Sequence, residues 1–416
     1  MTELLFLSHR IPYPPNKGDK IRSYHLLKHL ARHHTVHLGT FVDDDDDWRH
    51  RETVERLCGE CCLRPLARRS ATLRSLGGLL TGQALSLPFY ADAELHRWVR
   101  QLAESRPLAG VVVYSSAMAQ YAEGLSTRRV ADFVDVDSDK WRQYADKTSG
   151  PKRWIYRREA NRLARWEARI AADFDATFLV SAAEATLMRR IAPAAANRIH
   201  HFDNGVDAEF FSPERHHENP FPPGEIPIVF TGAMDYWPNV DAVTWMVNEV
   251  LPGIRARHPK AVFTIVGSRP TDAVRALATQ AGVRVTGSVP DVRPFLAHAD
   301  VAVAPLRIAR GVQNKVLEAM AMARSVVVTP QALEGIDATA PHEVRLAESA
   351  SAFGTAVTDL LDVPAPELGI AARRRILDRY HWDTCLAPVD AALRFEVASS
   401  PRSDAHPASA VTAPAA

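Results

Sequence analysis

Lys315 and Glu318 stand three residues apart in "RGVQNKVLEAMAM" (310–322), at the start of a predicted helix whose other face is apolar. Residues at this spacing share one helix face, so both side chains project toward the helix N-terminus. Gly311, just ahead, lets a ligand approach the backbone closely, and the free amides of the first turn favour an anion. A lysine on phosphate and a carboxylate on vicinal hydroxyls would suit a nucleotide sugar. An ion pair on a solvated helix face is the open alternative.

Two further candidates follow predicted strands in the first half of the chain. Gly18 precedes a helix, where bare amides could meet a diphosphate or an acceptor, although a loop with Asp19 capping the helix is the alternative. Asp137 lies in "DFVDVDSDKW" (132–141), just after a strand. A carboxylate there could bond sugar hydroxyls or orient an acceptor, or it could cap the next helix.

Two clusters of potential metal ligands are not expected to bind metal. Five adjacent aspartates (43–47) cannot all converge on one ion, because hard-cation sites need spaced oxygens, so we predict a solvated loop there. Cys58, Cys61 and Cys62 lack a second Cys-x-x-Cys pair, which favours reduced structural thiols over a zinc site or a redox role.

The charge balance excludes a global electrostatic attraction to nucleic acid. The 416 residues carry 50 basic and 49 acidic side chains, a net charge of +1, so an anionic ligand must meet a local cluster. No apolar run reaches the roughly 18 residues that a transmembrane helix needs. The N-terminal segment has no basic region before its apolar stretch, which predicts a first strand instead of a signal peptide. We therefore expect a cytoplasmic protein with no nucleic acid partner.

Short β-branched runs alternate with amphipathic stretches along both halves of the chain. This alternation predicts parallel sheets covered by helices on both faces, because continuous apolar strands suit full burial. Strands are predicted at 3–8, 35–41, 110–114, 129–136, 176–181 and 198–202, and again at 226–232, 261–267, 283–287, 300–305, 325–329 and 343–347. The predicted fold class is α/β, with two doubly wound domains facing each other across a cleft at the carboxyl ends of their sheets.

The polar, proline-rich stretch between the halves predicts an interdomain linker. We expect a first domain at 1–204, a linker at 205–225 and a second domain at 226–380. A C-terminal helix at 381–398 should cross back to the first domain, and the small, polar tail at 399–416 should be disordered.

A strongly basic helix is predicted at 150–172. It carries seven basic and two acidic residues together with Trp154, Tyr156 and Trp166. Such a helix could rest on an anionic membrane surface, where a lipid-linked acceptor would be presented. Alternatively, it covers its sheet and leaves its arginines in water.

Several segments, in their order along the chain, resemble retaining glycosyltransferases of the GT-B fold, glycosyltransferase family 4. The segment 311–336 is similar to the donor-site signature of that family, in which a glutamate and a second glutamate are separated by seven residues. Glu318 matches the second glutamate, which in the family binds the donor ribose, and Arg310 stands where the first is expected. Four further segments resemble parts of the family, namely "FDNGVD" (202–207), "VFTGAMDYWPNVDAV" (229–243), "VTGSVPDVRPFLAHADVAVAPL" (285–306) and "YHWD" (380–383).

The resemblance implies roles for individual residues. Lys315 and the amides of Gly311 and Val312 are expected to stabilise the leaving diphosphate, helped by Arg307 or Arg310. Asp137 stands in the neighbourhood where many members place a histidine near the reacting sugar. The expected catalytic residues are Asp137, Lys315 and Glu318, and the expected donor-binding residues are Gly18, Gly232, Arg310, Gly311, Val312, Asn314, Lys315 and Glu318.

The activity implied by the resemblance is transfer of a sugar, with retention, from a nucleoside diphosphate donor to a glycan or lipid-linked acceptor, without a metal or other cofactor. The segments "DFVDVDSDKW" (132–141) and "RGVQNKVLEAMAMA" (310–323) look closest to glycosyltransferases associated with bacterial exosortase (PEP-CTERM) and exopolysaccharide systems. This resemblance implies surface-polysaccharide assembly near the inner membrane. Two alternatives stay open. A non-catalytic nucleotide-sugar-binding protein would fit the replacement of two customary family residues, and a sugar-nucleotide epimerase shares the fold.

Overall fold

The structure is a computed structural model that describes residues 2–15, 18–309 and 311–393, apart from the side chain of Leu80. Arg310 and the predicted tail at 399–416 lie outside these residues. The described chain forms two parallel sheets, each flanked by helices. The predicted α/β class with two doubly wound domains is confirmed.

The strands of the first sheet are β1 (Thr2–Ser8), β2 (His34–Val42), β3 (Cys61–Pro65), β4 (Leu108–Tyr114), β5 (Arg128–Val134), β6 (Ala176–Leu179) and β7 (Ile199–His201). They pair in the order β3-β2-β1-β4-β5-β6-β7, with every pairing parallel. The sequence pattern misses β3, because "CCLRP" contains no β-branched or aromatic residue and ends in proline.

Helices connect these strands, namely α1 (Gly18–His33), α2 (Arg51–Glu55), α3 (Arg68–Thr81), α4 (Ser86–Phe89), α5 (Ala93–Ser105), α6 (Asp137–Asp146), α7 (Pro151–Asp173) and α8 (Ala182–Ile191). Side-chain caps set the start of two of them. The Asp92 carboxylate accepts from the Leu95 amide ahead of α5, and the Ser181 hydroxyl accepts from the Glu184 amide ahead of α8.

The strands of the second sheet are β8 (Ile226–Thr231), β9 (Ala261–Val266), β10 (Val283–Gly287), β11 (Val301–Ala304), β12 (Val326–Val328) and β13 (Arg345–Leu346), and they pair in the order β10-β9-β8-β11-β12-β13. The remaining helices are α9 (Trp237–Trp245), α10 (Leu251–Arg257), α11 (Asp272–Leu277), α12 (Arg293–Ala297), α13 (Asn314–Ala321), α14 (Pro330–Leu333), α15 (Ala350–Asp362), α16 (Pro366–Arg379) and α17 (Trp382–Leu393).

The central strands are unbroken apolar runs because both of their faces are buried. Along β1 and β4, alternate residues enter different clusters: Leu5 and Val113 belong to the core on one face of the sheet, and Phe6 and Val112 to the core on the other. All four side chains are fully buried. Helices on both faces complete the two cores, as the apolar pattern predicts.

The strand order reverses once in each sheet, between β1 and β4 in the first and between β8 and β11 in the second. At such a reversal the connecting helices leave toward opposite faces, so a crevice opens outside the carboxyl ends of the strands. Residues that follow β1, β5 and β8 reach these crevices. They include the predicted site residues Gly18, Asp137 and Gly232.

Helix α17 returns to the first sheet. Its apolar face belongs to the core that also contains β1 and β4, and the ring of Trp382 stacks on His25 with 4.6 Å between ring centres. A Cβ at Gly205 would lie 2.8 Å from the Trp382 ring, so this turn of the preceding segment needs glycine to pass the indole. One cluster of charge joins α1 to α17: His29 and Arg32 of α1 pair with Asp383 and Asp390 of α17.

We expect docking of α17 to weaken as pH rises, because His29 holds it through two carboxylates. The ring contacts Asp390 at 2.9 Å and Asp383 at 3.2 Å; although burial opposes it, these bonds raise the pKa of His29 above its usual value. A raised pKa means that the contribution is complete below about pH 6.5 and is lost as pH rises through the folded-state pKa. Unfolding free energies measured across this window should fall less for His29→Asn than for the wild type. His342→Asn, at an exposed site, should keep the wild-type slope.

The five-aspartate segment differs from its prediction. Asp43 accepts from Arg10 at 2.8 and 3.0 Å and from Arg68 at 2.9 Å, while buried Asp47 accepts from Lys20 Nζ at 2.5 Å. The prediction of a solvated loop is wrong for these two acids. A 3₁₀ turn at Asp45–His50 directs Asp47 inward, and Asp43, which directly follows β2, is held by its two arginines. The four cysteines are unpaired thiols.

Candidate active site

Lys315 lies between α13 and the loop that follows β8. Its Nζ donates to Asn239 Oδ1 at 2.6 Å and stands 4.9 Å from the centre of the Phe230 ring. Asn239 is buried and held in turn, since its Nδ2 donates to the Ala233 carbonyl at 2.8 Å. One N–H of the ammonium is therefore fixed, and its other N–H groups make no hydrogen bond to a described residue. A fixed ammonium with free donors is suited to a phosphate.

Gly232 leaves the space that this pair occupies. A Cβ at position 232 would lie 2.7 Å from Asn239 Nδ2 and 3.3 Å from Lys315 Cε. The turn after β9 comes equally close, because a Cβ on Gly267 would fall 1.6 Å from the Gly232 carbonyl oxygen. The structure thus brings predicted Gly232 and Lys315 together, and it adds Gly267 and Asn239 as residues that shape the same corner.

Glu318 stands on the same face of α13 and is half-buried. No described residue donates a hydrogen bond to its carboxylate, and it forms no direct ion pair with Lys315, as the solvated-surface alternative would require. Burial raises the pKa of Glu318 to about 7, opposed by Lys315, and burial lowers the pKa of Lys315 to about 8, opposed by Glu318. A desolvated carboxylate with free lone pairs is suited to accept from hydroxyl groups.

The N-terminus of α13 carries unsatisfied polar groups. Gln313 precedes the helix without a side-chain cap; the Val316 amide donates to the Gln313 carbonyl, but the amides of Asn314 and Lys315 donate to no described residue. Asn314 Oδ1 is buried and has no hydrogen-bond partner among the described residues, which is costly unless a ligand supplies a donor. Gly311 has φ +69°, a left-handed turn that glycine adopts readily, and Val312 packs toward Gly335. Predicted residues Gly311, Val312 and Asn314 therefore border one open helix end.

Two arginines near this corner are already paired. Arg307 donates to both carboxylate oxygens of Asp241, at 3.0 and 2.5 Å, so the structure shows it bound to an acid instead of free for a diphosphate. Arg269, which the sequence analysis misses, follows β9 and pairs with Asp235 at 2.9 Å. Arg310 lies outside the described residues.

His9 is the main residue at the first crevice that the sequence analysis misses. It follows β1, stacks on Tyr114 with ring centres 5.7 Å apart, and meets Tyr90 edge-on at 5.8 Å. Burial lowers the pKa of His9 to about 4, although Asp19 at 3.8 Å opposes this, so the ring is neutral near pH 7. Its Nδ1 is buried without a partner among the described residues. An unpartnered buried nitrogen at a strand reversal is a candidate to bond a substrate hydroxyl.

Asp137 approaches the same crevice from β5. It is the first residue of α6 and does not cap it, because Val136 occupies the cap position. Burial raises the pKa of Asp137, and burial also raises the pKa of Tyr90, with a smaller contribution from the Asp137 charge. The nearest cation is Lys140, whose Nζ donates at 3.4 Å.

The strand ends beside these residues are strained. Ser115, just after β4, has φ +80°, and Val134, the last residue of β5, has φ +69°. Left-handed backbone at a β-branched residue costs about 1–3 kcal/mol and is retained where surrounding contacts fix it, most often at functional sites. Both residues lie on the edge that carries His9 and Asp137.

Gly18 begins α1 at the same edge. It is exposed, and a Cβ there would meet nothing within 4 Å, so packing does not demand glycine. The next residue, Asp19, binds Arg10 Nη1 at 2.5 Å. Gly18 therefore lies at the strand edge that also carries His9 and Asp137. No hydrogen bond or ion pair between described residues joins these three to Lys315 or Glu318.

Among the described residues, no group of three or more histidine, cysteine or acidic side chains is placed to hold a metal ion. In the same part of the chain, no helix is long and apolar enough to cross a bilayer.

The part of the chain that contains the second sheet matches a known protein family. Residues 225–362 match the family described as Glycosyl transferases group 1. This segment contains Gly232, Lys315 and Glu318. No curated protein matches the chain in sequence.

Solved structures share the whole architecture. A glycosyltransferase from Rickettsia africae has 12% identity and a TM-score of 0.65, covering 94% of this chain and 99% of its own. HepE of Anabaena in complex with UDP has 14% identity, a TM-score of 0.63 and coverage of 94% and 99%. A sucrose-phosphate synthase from Thermosynechococcus elongatus has 15% identity, a TM-score of 0.63 and coverage of 95% and 98%. At such identities the likeness shows the fold, which is GT-B.

Proposed function

We propose that this chain transfers a sugar, with retention, from a nucleoside diphosphate donor to a glycan or lipid-linked acceptor. A match to the glycosyltransferase group 1 family over residues 225–362 supports sugar transfer, and the fold is GT-B. The observation that carries the finer proposal lies at the N-terminal end of α13, where Lys315 has N–H groups and Glu318 has carboxylate oxygens that bond to none of the described residues. Membership of glycosyltransferase family 4, and with it retention, is proposed from the resemblance of this segment.

The donor would bind to the second domain. Lys315, the Gly311 and Val312 amides and Asn314 would meet the diphosphate end, where charge develops as the bond to the sugar breaks. Glu318 would accept from the ribose hydroxyls. HepE, which shares the fold, was solved with UDP, and this makes a uridine diphosphate sugar the first donor to try. No metal is proposed in this arrangement.

The acceptor would bind to the first domain. His9 offers a ring nitrogen that has no partner within the described part of the chain, and in that same part the one cation that bonds the Asp137 carboxylate is Lys140, at 3.4 Å. We propose that they bond the hydroxyls of the acceptor and of the transferred sugar, with Gly18 leaving space at the start of α1. Closure of the two domains would exclude water from the activated sugar.

The wider setting rests on resemblance alone. We propose a role in bacterial surface-polysaccharide assembly of the exosortase-associated kind, at the cytoplasmic face of the inner membrane. The segments around Asp137 and Lys315 support this proposal, since they are the ones closest to such enzymes.

The experiment that tests the donor site is thermal unfolding with UDP-, GDP- and ADP-sugars. A ligand that binds only the folded state raises the midpoint, by roughly 3 kcal/mol of stability at one hundred times its Kd. We expect one base to raise it and Lys315→Ala to remove most of the rise. Incubating that donor without an acceptor then separates the alternatives: slow hydrolysis supports a transferase, an interconverted sugar an epimerase, and an unchanged donor a binding protein.

His9→Ala should lower kcat for transfer by roughly tenfold or more, because a buried hydrogen-bond partner of the acceptor is lost. The midpoint shift caused by donor should not change, since His9 belongs to the other domain. His33→Ala, at the exposed end of α1, is the control. An unaltered kcat in the His9 variant would contradict the acceptor-side assignment.

A further inference from the structure

Helix α3 buries its small residues and exposes its leucines. Its buried face consists of Ala71, Ser75 and Gly78. Its exposed leucines are Leu73 at 70%, Leu76 at 50% and Leu79 at 36%. A helix on a globular domain ordinarily turns its apolar side to the core, so this reversal leaves an apolar strip that no part of the described chain covers.

The neighbouring helix α7 presents a cationic side. Glu159 and Glu167 both point inward: Glu159 accepts from the amides of Leu85 and Ser86, and Glu167 from Ser138. The outward cations are Lys152, Arg153, Arg157, Arg162 and Arg165. None of these five forms an ion pair with any residue that the structure describes. Trp154 stands among them and is 63% exposed.

Helix α7 contacts the end of α3, so the apolar strip and the cationic side belong to neighbouring helices. Arg158 of α7 donates to the Gly78 carbonyl at 2.6 Å and to the Gln83 carbonyl at 3.1 Å, which ties the end of α3 to the first half of α7. Helix α3 contains no acid and adds Arg69 and Arg74. We call the exposed sides of these two helices the α3–α7 face.

We infer that the α3–α7 face docks on the anionic surface of a phospholipid bilayer. Leucines would enter the boundary between headgroups and acyl chains, the arginines would meet lipid phosphates, and Trp154 would lie at the interface, as in helices that rest on membranes. Charge argues against self-association, because a second copy would bring two cationic faces together. The use of the face rests on the proposed function, since it would hold the acceptor domain beside a lipid-linked acceptor; the docking itself does not.

Sedimentation with vesicles tests the inference. The full chain should bind vesicles of phosphatidylglycerol and phosphatidylethanolamine in equal parts, bind phosphatidylcholine vesicles weakly, and lose binding as salt rises. Leu73→Ser with Leu76→Ser should lower the partition constant roughly tenfold or more, and so should Arg157→Glu with Arg162→Glu. Ile370→Ser with Leu377→Ser and Arg374→Glu, all at exposed sites on α16, should leave it unchanged.

Three outcomes would overturn the inference. These are equal binding to both vesicle types, loss of binding in the α16 controls, and leucine variants that abolish a dimer in size-exclusion chromatography while vesicle binding persists. The α3 and α7 variants should keep the wild-type melting transition and the donor-induced midpoint shift. Vesicle binding without any donor-induced rise of the unfolding midpoint would support membrane docking by the α3–α7 face but contradict the proposed function.

Discussion

Replacing Lys315 by alanine should lower kcat for sugar transfer by roughly 10²–10³-fold. Negative charge grows on the diphosphate as the sugar departs, so a fixed ammonium is worth more in the transition state than in the ground state. Asn239 holds Lys315 Nζ at 2.6 Å before any donor arrives, so the cation needs no reorganisation. Initial rates of transfer, or of donor hydrolysis where no acceptor is known, give kcat and KM separately, and the larger change should be in kcat.

Variants around this lysine separate charge from packing. Lys315→Met keeps most of the side-chain volume beside Phe230 and should lose as much kcat as alanine does. Asn239→Ala keeps the charge of Lys315 but removes the hydrogen bond that holds its ammonium. It should lower kcat roughly tenfold. Lys260→Ala, at an exposed site in the same domain, should behave as wild type. A folded Lys315→Ala enzyme with normal kcat would show that the donor site lies elsewhere.

Burial of whole strands is why the fold could be predicted from the sequence. The segment Val111–Val113 is apolar at every position because neighbouring residues face two different cores, and only a sheet covered on both sides uses that pattern. Strand β3 could not be predicted in this way, since an edge strand is half-buried and needs no continuous apolar run. The ion pairs of Asp43 and Asp47 could not be predicted for another reason. Their partners Arg10 and Lys20 come from distant positions that only the fold brings near.

The donor side could be predicted further than the acceptor side. Lys315 and Glu318 share one helix, so their spacing already places them on one face. His9 carries no such local signal; it matters because β1 ends where the strand order reverses and because Tyr90 and Tyr114 enclose its ring. Asn239 lies in the segment 229–243 that resembles the family, but its hydrogen bond to Lys315 depends on the close approach at Gly232. Contacts between segments are what spacing along the chain does not encode.

Glu318→Gln should change both the size and the pH dependence of donor use. Losing a charged acceptor for two ribose hydroxyls should raise the donor KM by roughly tenfold to a hundredfold. In the wild type, kcat/KM reports the free enzyme and should fall at both ends of the pH range. The acidic fall near pH 7 follows protonation of Glu318, whose pKa is raised by burial, and the basic fall near pH 8 follows neutralisation of Lys315, whose pKa is lowered by burial.

The glutamine variant tests both assignments at once. With no carboxylate at 318, the acidic fall should disappear. The basic fall should move to lower pH, because Glu318 opposes the lowering of the Lys315 pKa and glutamine does not. Glu367→Gln, at an exposed site on α16, should leave both limbs in place. A Glu318→Gln profile that keeps its acidic limb would assign that limb to another group, and a basic limb that stays fixed would show that Lys315 is not the cation being titrated.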